Sequence, residues 1–324
     1  MLASLVLLTM LSQDVAAAPA LRPEPLDDEA YAETYTAVAS LKDGSYVLMQ
    51  LLFTNAGIGD GKAACRALWV PPGGEGINAS VNLSAGEWSY DGSRDSLVVG
   101  PCRLGQSASG LQFVVDLPDL SMDLRIESEA RSVEPPGHRV QVGGTFHESD
   151  LVVPRAAARI TVSTPTKKLD QSGRVHLDHS RSNALLPKVA GCWMRFRGFE
   201  GSKPVLAQVR TSPGGGGAEG WVWSLSKSAP SAVSASGIRA SGAGSALPTL
   251  ALKGSEGSLS IQSTKRIYRY RPTEAYGAMG RIASPWIGDP TTTTYAASAT
   301  TASGAKVTGI LEVSEINPGG CATQ

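Results

Sequence analysis

The chain has 324 residues, enough for two ordinary domains or one large one. Lysine plus arginine and aspartate plus glutamate both total 29, so the net charge is zero, and the basic footprint of a nucleic-acid binder is missing. Hydrophobic residues make up 42% but aromatics only 6%, and 36 glycines and 20 prolines punctuate the chain, a composition suited to many short strands.

The N-terminal run LASLVLLTMLS is apolar but shorter than the ~20 residues a membrane-spanning helix needs. VAAAPA follows, and Ala18-Pro19-Ala20 fits the small-x-small pattern of a signal-peptidase site. Residues 1–20 therefore read as a signal peptide, although no basic residue precedes the run, and the protein as secreted or periplasmic. No other segment is apolar and long enough to span a membrane. No long amphipathic helix stands out, and DDEAYAETYTAV (27–38) could form a short one. From Tyr35 onward strand follows strand. SYVLMQLLFTN (45–55), KAACRALWVPPGG (62–74), the period-two stretches of 77–100, LQFVVDLP and MDLRIESEA are each closed by turn-forming residues. RSVEPPGHRVQVGG (131–144) is a turn-rich break, AAARITVST (156–164) one more strand, and the polar TPTKKLDQSG (164–173) a linker.

The pattern then restarts. CWMRFRGF, PVLAQVRT, GWVWSLS, SLSIQST, RIYRYRP and KVTGILEVSEI all read as strands. The Ser/Ala/Gly-rich segment 227–256 reads as a long excursion with one or two weak strands. Strands at this spacing predict an all-β protein of two tandem antiparallel barrels or half-open barrels, spanning 28–171 and 172–318. An eight-stranded barrel leaves room inside for about one small ligand, so hollows are expected within the barrels.

Four cysteines, Cys65, Cys102, Cys192 and Cys321, form no CxxC, which removes zinc-ribbon and thioredoxin readings. Three disulfide pairings are open, as are four reduced thiols. If the chain has two domains, Cys65–Cys102 and Cys192–Cys321 keep each bridge within one half.

SPGGGG (212–217) lacks the Gly-Lys-Ser/Thr of a phosphate loop and reads as a hairpin tip. TKRIYRYRP interleaves basic and aromatic residues, with Arg266, Tyr268 and Tyr270 on one strand face, a rim-covering pattern given the neutral chain. There is no GxSxG elbow, and His147 in GTFHESD reads as a surface histidine that could in principle act as a base. GRVHLDHSRSN (173–183) concentrates two of the four histidines around one aspartate. On an extended strand His176 and Asp178 share a face and His179 takes the other, so only two ligands could meet and no metal or other cofactor is expected. Asp178 in an apolar cavity would instead stay protonated and could act as an acid, with His176 as its partner and aromatic faces nearby to steady a developing cation. The competing reading is that Asp178 caps a turn or pairs with Arg181.

The order of these features resembles the tandem-lipocalin group that includes carotenoid 1,2-hydratases, AttH-type proteins and fungal survival-factor proteins. Members place Gly, an aromatic, any residue, then Asp-His where two lipocalin-like barrels join. Gly173, Asp178 and His179 hold those places here, and GCWMRFRGFEGSKPVLAQVR follows as the strand pair. GWVWSLS and AYGAMGRIASPWIGDP…GILEVSEIN are similar to the second barrel of such proteins, so the resemblance covers roughly 32–318. It implies Asp178 as proton donor. His176 stands in place of the family's tyrosine, and Arg181-Ser182 in place of Trp-Gly.

These readings predict a binder of a hydrophobic or amphipathic small molecule, with His179, Trp88, Tyr90 and Trp193 as candidate ligand-binding residues. The alternatives are an acid-catalysed hydratase, isomerase or cyclase on a polyene or terpenoid-like substrate, and a structural envelope protein with a filled core.

Overall fold

The computed structural model describes residues 20–55, 60–199, 205–214, 217–223, 229–239, 247–254, 257–271 and 290–321. The signal-peptide reading lies outside them, Ala20 excepted, as does most of the AYGAMGRIASPWIGDP stretch.

The first sheet contains β1 (Ala32–Leu41), β2 (Tyr46–Thr54), β3 (Lys62–Val70), β4 (Ile77–Leu83), β5 (Trp88–Asp91), β6 (Ser96–Val99), β7 (Cys102–Ser107), β8 (Gly110–Leu117), β9 (Leu120–Ile126), β10 (Arg139–Val142), β11 (Thr145–Thr164) and β12 (Lys167–Ser182). They pair in the order β4-β3-β2-β1-β12-β11-β9-β8-β7-β6-β5, with β10 on β11, so that the sheet rolls into a nearly closed barrel. A single turn, α1 (Leu186–Val189), leads to β13 (Cys192–Gly198), β14 (Val205–Thr211), β15 (Ala218–Trp223), β16 (Ser231–Arg239), β17 (Thr249–Gly254), β18 (Gly257–Tyr270), β19 (Thr291–Thr301) and β20 (Lys306–Glu315), which close a second, eight-stranded antiparallel barrel.

Three local expectations change. The helix expected over 27–38 is the start of β1, because Tyr35, Ala37, Ala39 and Leu41 alternate into the core, a period of two that outweighs the acidic start of the segment. The linker expected at 164–173 is a tight hairpin: β11 ends at Thr164 and β12 begins at Lys167. β12 then runs unbroken past residue 172 to Ser182, between β1 and β11, so the passage from one sheet to the other occupies 183–191. Gly173 serves this pairing, since a Cβ there would stand 2.3 Å from the Ser40 carbonyl oxygen of β1.

The interior of the first barrel is packed. Tyr31, Tyr35, Met49, Phe53, Leu97, Leu104 and Phe113 are almost fully buried in one cluster, which Leu21 of the N-terminal segment joins. Met194, Phe196, Val209, Leu250, Ile261 and Leu311 belong to the core of the second barrel. The disulfides are Cys65–Cys102, between β3 and β7, and Cys192–Cys321, which ties the C-terminal tail to the start of β13. Each bridge stays within its own half.

The barrels meet wall to wall. Val38, Tyr46, Leu48, Leu68 and Val70 of the first cluster with Ile310 of the second, and Leu151 meets Leu206 and Trp221. At one end Val140 and Ala184 pack with Trp193 and Ile316.

Candidate functional site: a cavity between the barrels

Alternation along β1 and β12 sends one set of side chains into the first core and the other outward. The outward set, Thr34 and Thr36 on β1 with His176, Asp178, Ser180 and Ser182 on β12, faces the second barrel. The second barrel presents its own outward set: Trp193, Arg195 and Arg197 on β13, beside Ser314, Glu312 and Ile310 on β20. Between these two walls lies a cavity of about 410 Å³. Leu48, Leu52, Leu68, Trp193, Tyr268, Tyr270 and Ile316 supply apolar lining; Thr36, Gln50, Ser180, Thr294, Arg66, Arg195 and Glu312 supply polar groups. Large side chains fill the first interior, where a hollow was expected, and this cavity lies between the barrels, where two outward faces meet and bury each other. A broader groove of about 670 Å³ over β9, β11 and β12 is lined by charged and hydroxyl side chains that bond one another, Arg125 to Asp123 and Thr161 to Asp170.

Asp178 is buried but does not line the 410 Å³ cavity. Its Oδ2 accepts a hydrogen bond from Arg197 Nη2, and Arg197 Nη1 donates to Glu312, so one guanidinium bridges the barrels. Burial pushes the Asp178 carboxyl up, but the charges of Arg197 and Arg195 and the Arg197 hydrogen bond outweigh it and hold the group below the usual carboxylate range. The acid expected to stay protonated is ionised. Arg181, its other expected partner, pairs with Glu24 and Glu148 instead. On the paired strand β20, a Cβ on Gly309 would stand 2.3 Å from the Arg197 backbone carbonyl oxygen, so the two strands approach closely there.

His176 is 1% exposed, edge-on to Phe199 at 4.9 Å, with its ring toward the backbone carbonyls of Pro154 and Gly198. Burial, helped by Arg197, pushes its imidazole down to about 3, so it is neutral. His147, expected at the surface, is 7% exposed beside the cavity, edge-on to Trp193 at 4.5 Å. Both of its ring nitrogens lack partners among the described residues, and burial followed by the charges of Arg195 and Arg210 holds it at about 3. The polar turn-rich sequence around it gave no sign of burial, which comes from β11 lying under the second barrel.

The other candidates separate. Trp193 lines the cavity. His179 points the opposite way from Asp178, into the first barrel, where it stacks on Tyr35 at 4.4 Å and its Nε2 lies 2.7 Å from Glu33 Oε1. Glu33 also accepts from Tyr31 Oη and from the backbone N–H of Glu24. Trp88 packs edge-on to Phe53 and donates to the Gly61 carbonyl; Tyr90 donates to Asp95. Neither lines the cavity. Sequence reading missed Arg66, Arg195 and Glu312, whose signal was alternation against buried neighbours on β3, β13 and β20. Among the described residues no group of three or more His, Cys, Asp or Glu could hold a metal ion, and no helix is long and apolar enough to cross a membrane.

These features define a protein of two antiparallel barrels joined wall to wall around a lined cavity. Solved structures share that architecture. A candidate AttH protein from Nitrosomonas europaea superposes with a TM-score of 0.65 at 12% identity, covering 98% of this chain and 100% of the other. Kievitone hydratase from Nectria haematococca gives 0.56 at 12% identity, covering 88% and 89%. CghA with Sch210972 gives 0.55 at 11% identity, covering 89% of each chain. The chain thus has the tandem lipocalin-like fold. No family model matches the sequence, and no curated protein matches it significantly.

Proposed function

We propose that the protein binds an amphipathic small molecule in the cavity between its barrels, and that it does so as an exported protein. The observation that carries this reading is the 410 Å³ space itself, walled by side chains from both barrels, apolar and polar residues in about equal number. Two disulfides support an oxidising compartment. A hydratase or cyclase reading, prompted by the names of kievitone hydratase and CghA, needs a protonated acid facing the ligand. Asp178 is ionised and bonded to Arg197, and Glu312, the one carboxylate among the described lining residues, is bonded to the same guanidinium. Binding without acid catalysis by Asp178 fits that arrangement better.

The test is extraction and mass spectrometry of small molecules from purified protein, alongside Ser180→Trp, which places an indole in the cavity. The wild type carries an enriched apolar species and the variant loses it while keeping its far-ultraviolet circular dichroism. No enriched species in the wild type, or full retention in a folded variant, contradicts the reading.

A further inference from the structure

Two arginines line the cavity without a carboxylate partner among the described residues. Arg195, midway along β13, donates from Nε to Gln208 Oε1 at 3.0 Å, and its Cζ lies 5.4 Å from the centre of the Trp193 ring. Arg66, on β3 of the other barrel, donates from Nε to Asn78 Oδ1 at 2.8 Å and lies 3.5 Å over the Tyr270 ring. Neither takes part in an ion pair among the described residues. Among the described residues, the carboxylates Asp178 and Glu312 are already engaged, since Arg197 holds both.

Among the described residues the charges in and beside the cavity do not cancel. Arg66, Arg195 and the adjoining Arg197 stand against Glu312 and the adjoining Asp178, three positive groups against two negative, which leaves one positive charge over. His147 is neutral and does not alter the sum. Arg195 is the more exacting of the two free cations. Burial disfavours its charge most, Asp178 favours it, Arg197 disfavours it, and Glu312, its cross-strand neighbour, favours it. A guanidinium presents a planar fork of donors that matches a carboxylate edge-on, and such a pair is strongest where water is scarce. A small inorganic anion would leave the leucines and tyrosines of the same cavity unused.

Resting on the cavity-binding reading, we propose that the ligand is an amphipathic organic acid, its carboxylate paired with Arg195 and its apolar body along Leu48, Leu52 and Leu68. Arg66, under Tyr270, contributes the second positive charge. The site thus selects by charge among molecules of similar shape: a long-chain or terpenoid-like acid is retained and the corresponding alcohol is not.

Matched pairs test this by titration calorimetry near neutral pH: hexadecanoic acid against hexadecanol, and retinoic acid against retinol. The acid of a pair that fits binds about tenfold or more tightly than its alcohol, the worth of one charge-assisted bond. Arg195→Gln brings the two affinities within about threefold of each other by weakening the acid alone, Arg195→Lys restores part of the gap, and Arg66→Gln narrows it by a smaller factor. Equal affinities for acid and alcohol in the wild type overturn the proposal while leaving the cavity reading standing. So does a gap that persists in Arg195→Gln, or in Arg66→Gln should the first variant not fold. If no member of either pair binds, the cavity reading falls and this proposal with it.

Discussion

Removing the Asp178 carboxylate leaves Arg197 buried between the barrels with Glu312 as its remaining partner. Breaking one side of a buried, hydrogen-bonded pair costs about 3–5 kcal/mol, because the surviving charge stays out of water. Asp178→Asn therefore lowers the urea midpoint by that order, and ligand affinity in the folded variant changes little. A variant as stable as the wild type would contradict the structural role given to Asp178. The two buried histidines make a separate prediction. Folded, His147 and His176 are neutral down to about pH 3; unfolded, they take up protons below about 6.5. The unfolded chain binds more protons across that window, so stability is complete above pH 6.5 and declines as pH falls, by up to about 1.4 kcal/mol per pH unit for each histidine. Urea titrations from neutral to acidic pH check the slope, and replacing both histidines with Phe flattens it. An equal slope in the double variant contradicts the assignment. The histidines also show where the sequence stopped being readable. Period-two alternation put His176 and Asp178 on one face, which the fold bears out. What lay opposite that face depended on Arg197, nineteen positions away on another sheet, and no local pattern encodes that meeting.

At the scale of elements, β13 and the tail that Cys321 fixes to it deserve most weight. The strand puts Cys192, Met194 and Phe196 inside its barrel and Trp193, Arg195 and Arg197 outside, so one seven-residue segment serves both the core and the cavity. Its start is clamped by the Cys192–Cys321 bridge, which closes a loop 129 residues apart in sequence, and by backbone bonds from Ile316 and Asn317 to the Gly191 carbonyl. Loop-closure entropy gives such a bridge about 5 kcal/mol. Cys192→Ser combined with Cys321→Ser lowers unfolding free energy by that order in chemical denaturation, and weakens ligand binding because Trp193 is the next residue. The Cys65–Cys102 bridge spans 37 residues and lies on the far strands β3 and β7, so its removal costs about 4 kcal/mol with a smaller effect on binding. Strand existence was legible from alternation and turn residues throughout. The hairpin at 164–167 was not, because Pro165 and the lysines beside it read equally well as a linker. The helix expected at 27–38 rested on acidic residues, of which Asp27, Asp28 and Glu29 precede β1 while Glu33 lies buried within it.

For the whole molecule, the arrangement rests on which face of each barrel wall is buried. Outward residues of an isolated barrel are ordinarily polar and wet, and the hydroxyl-rich outer faces of β1, β12, β19 and β20 fit that pattern in sequence. Docked against each other they become the lining of a partly open cavity, with the Asp178–Arg197–Glu312 bridge and the Leu48–Leu68–Ile310 contact beside it. The two-barrel layout was legible because the strand pattern restarts after a break. The cavity was not, because it belongs to the docking of the barrels and neither barrel contains it alone. The most direct measurement is a crystal structure grown with a fatty acid carrying bromine at the end of its chain, read by the anomalous signal of the halogen. A bromine peak between β1–β2–β12 and β13–β19–β20, with the carboxylate at Arg195, is the predicted result. A peak inside either barrel, or none at saturating ligand, would contradict the account.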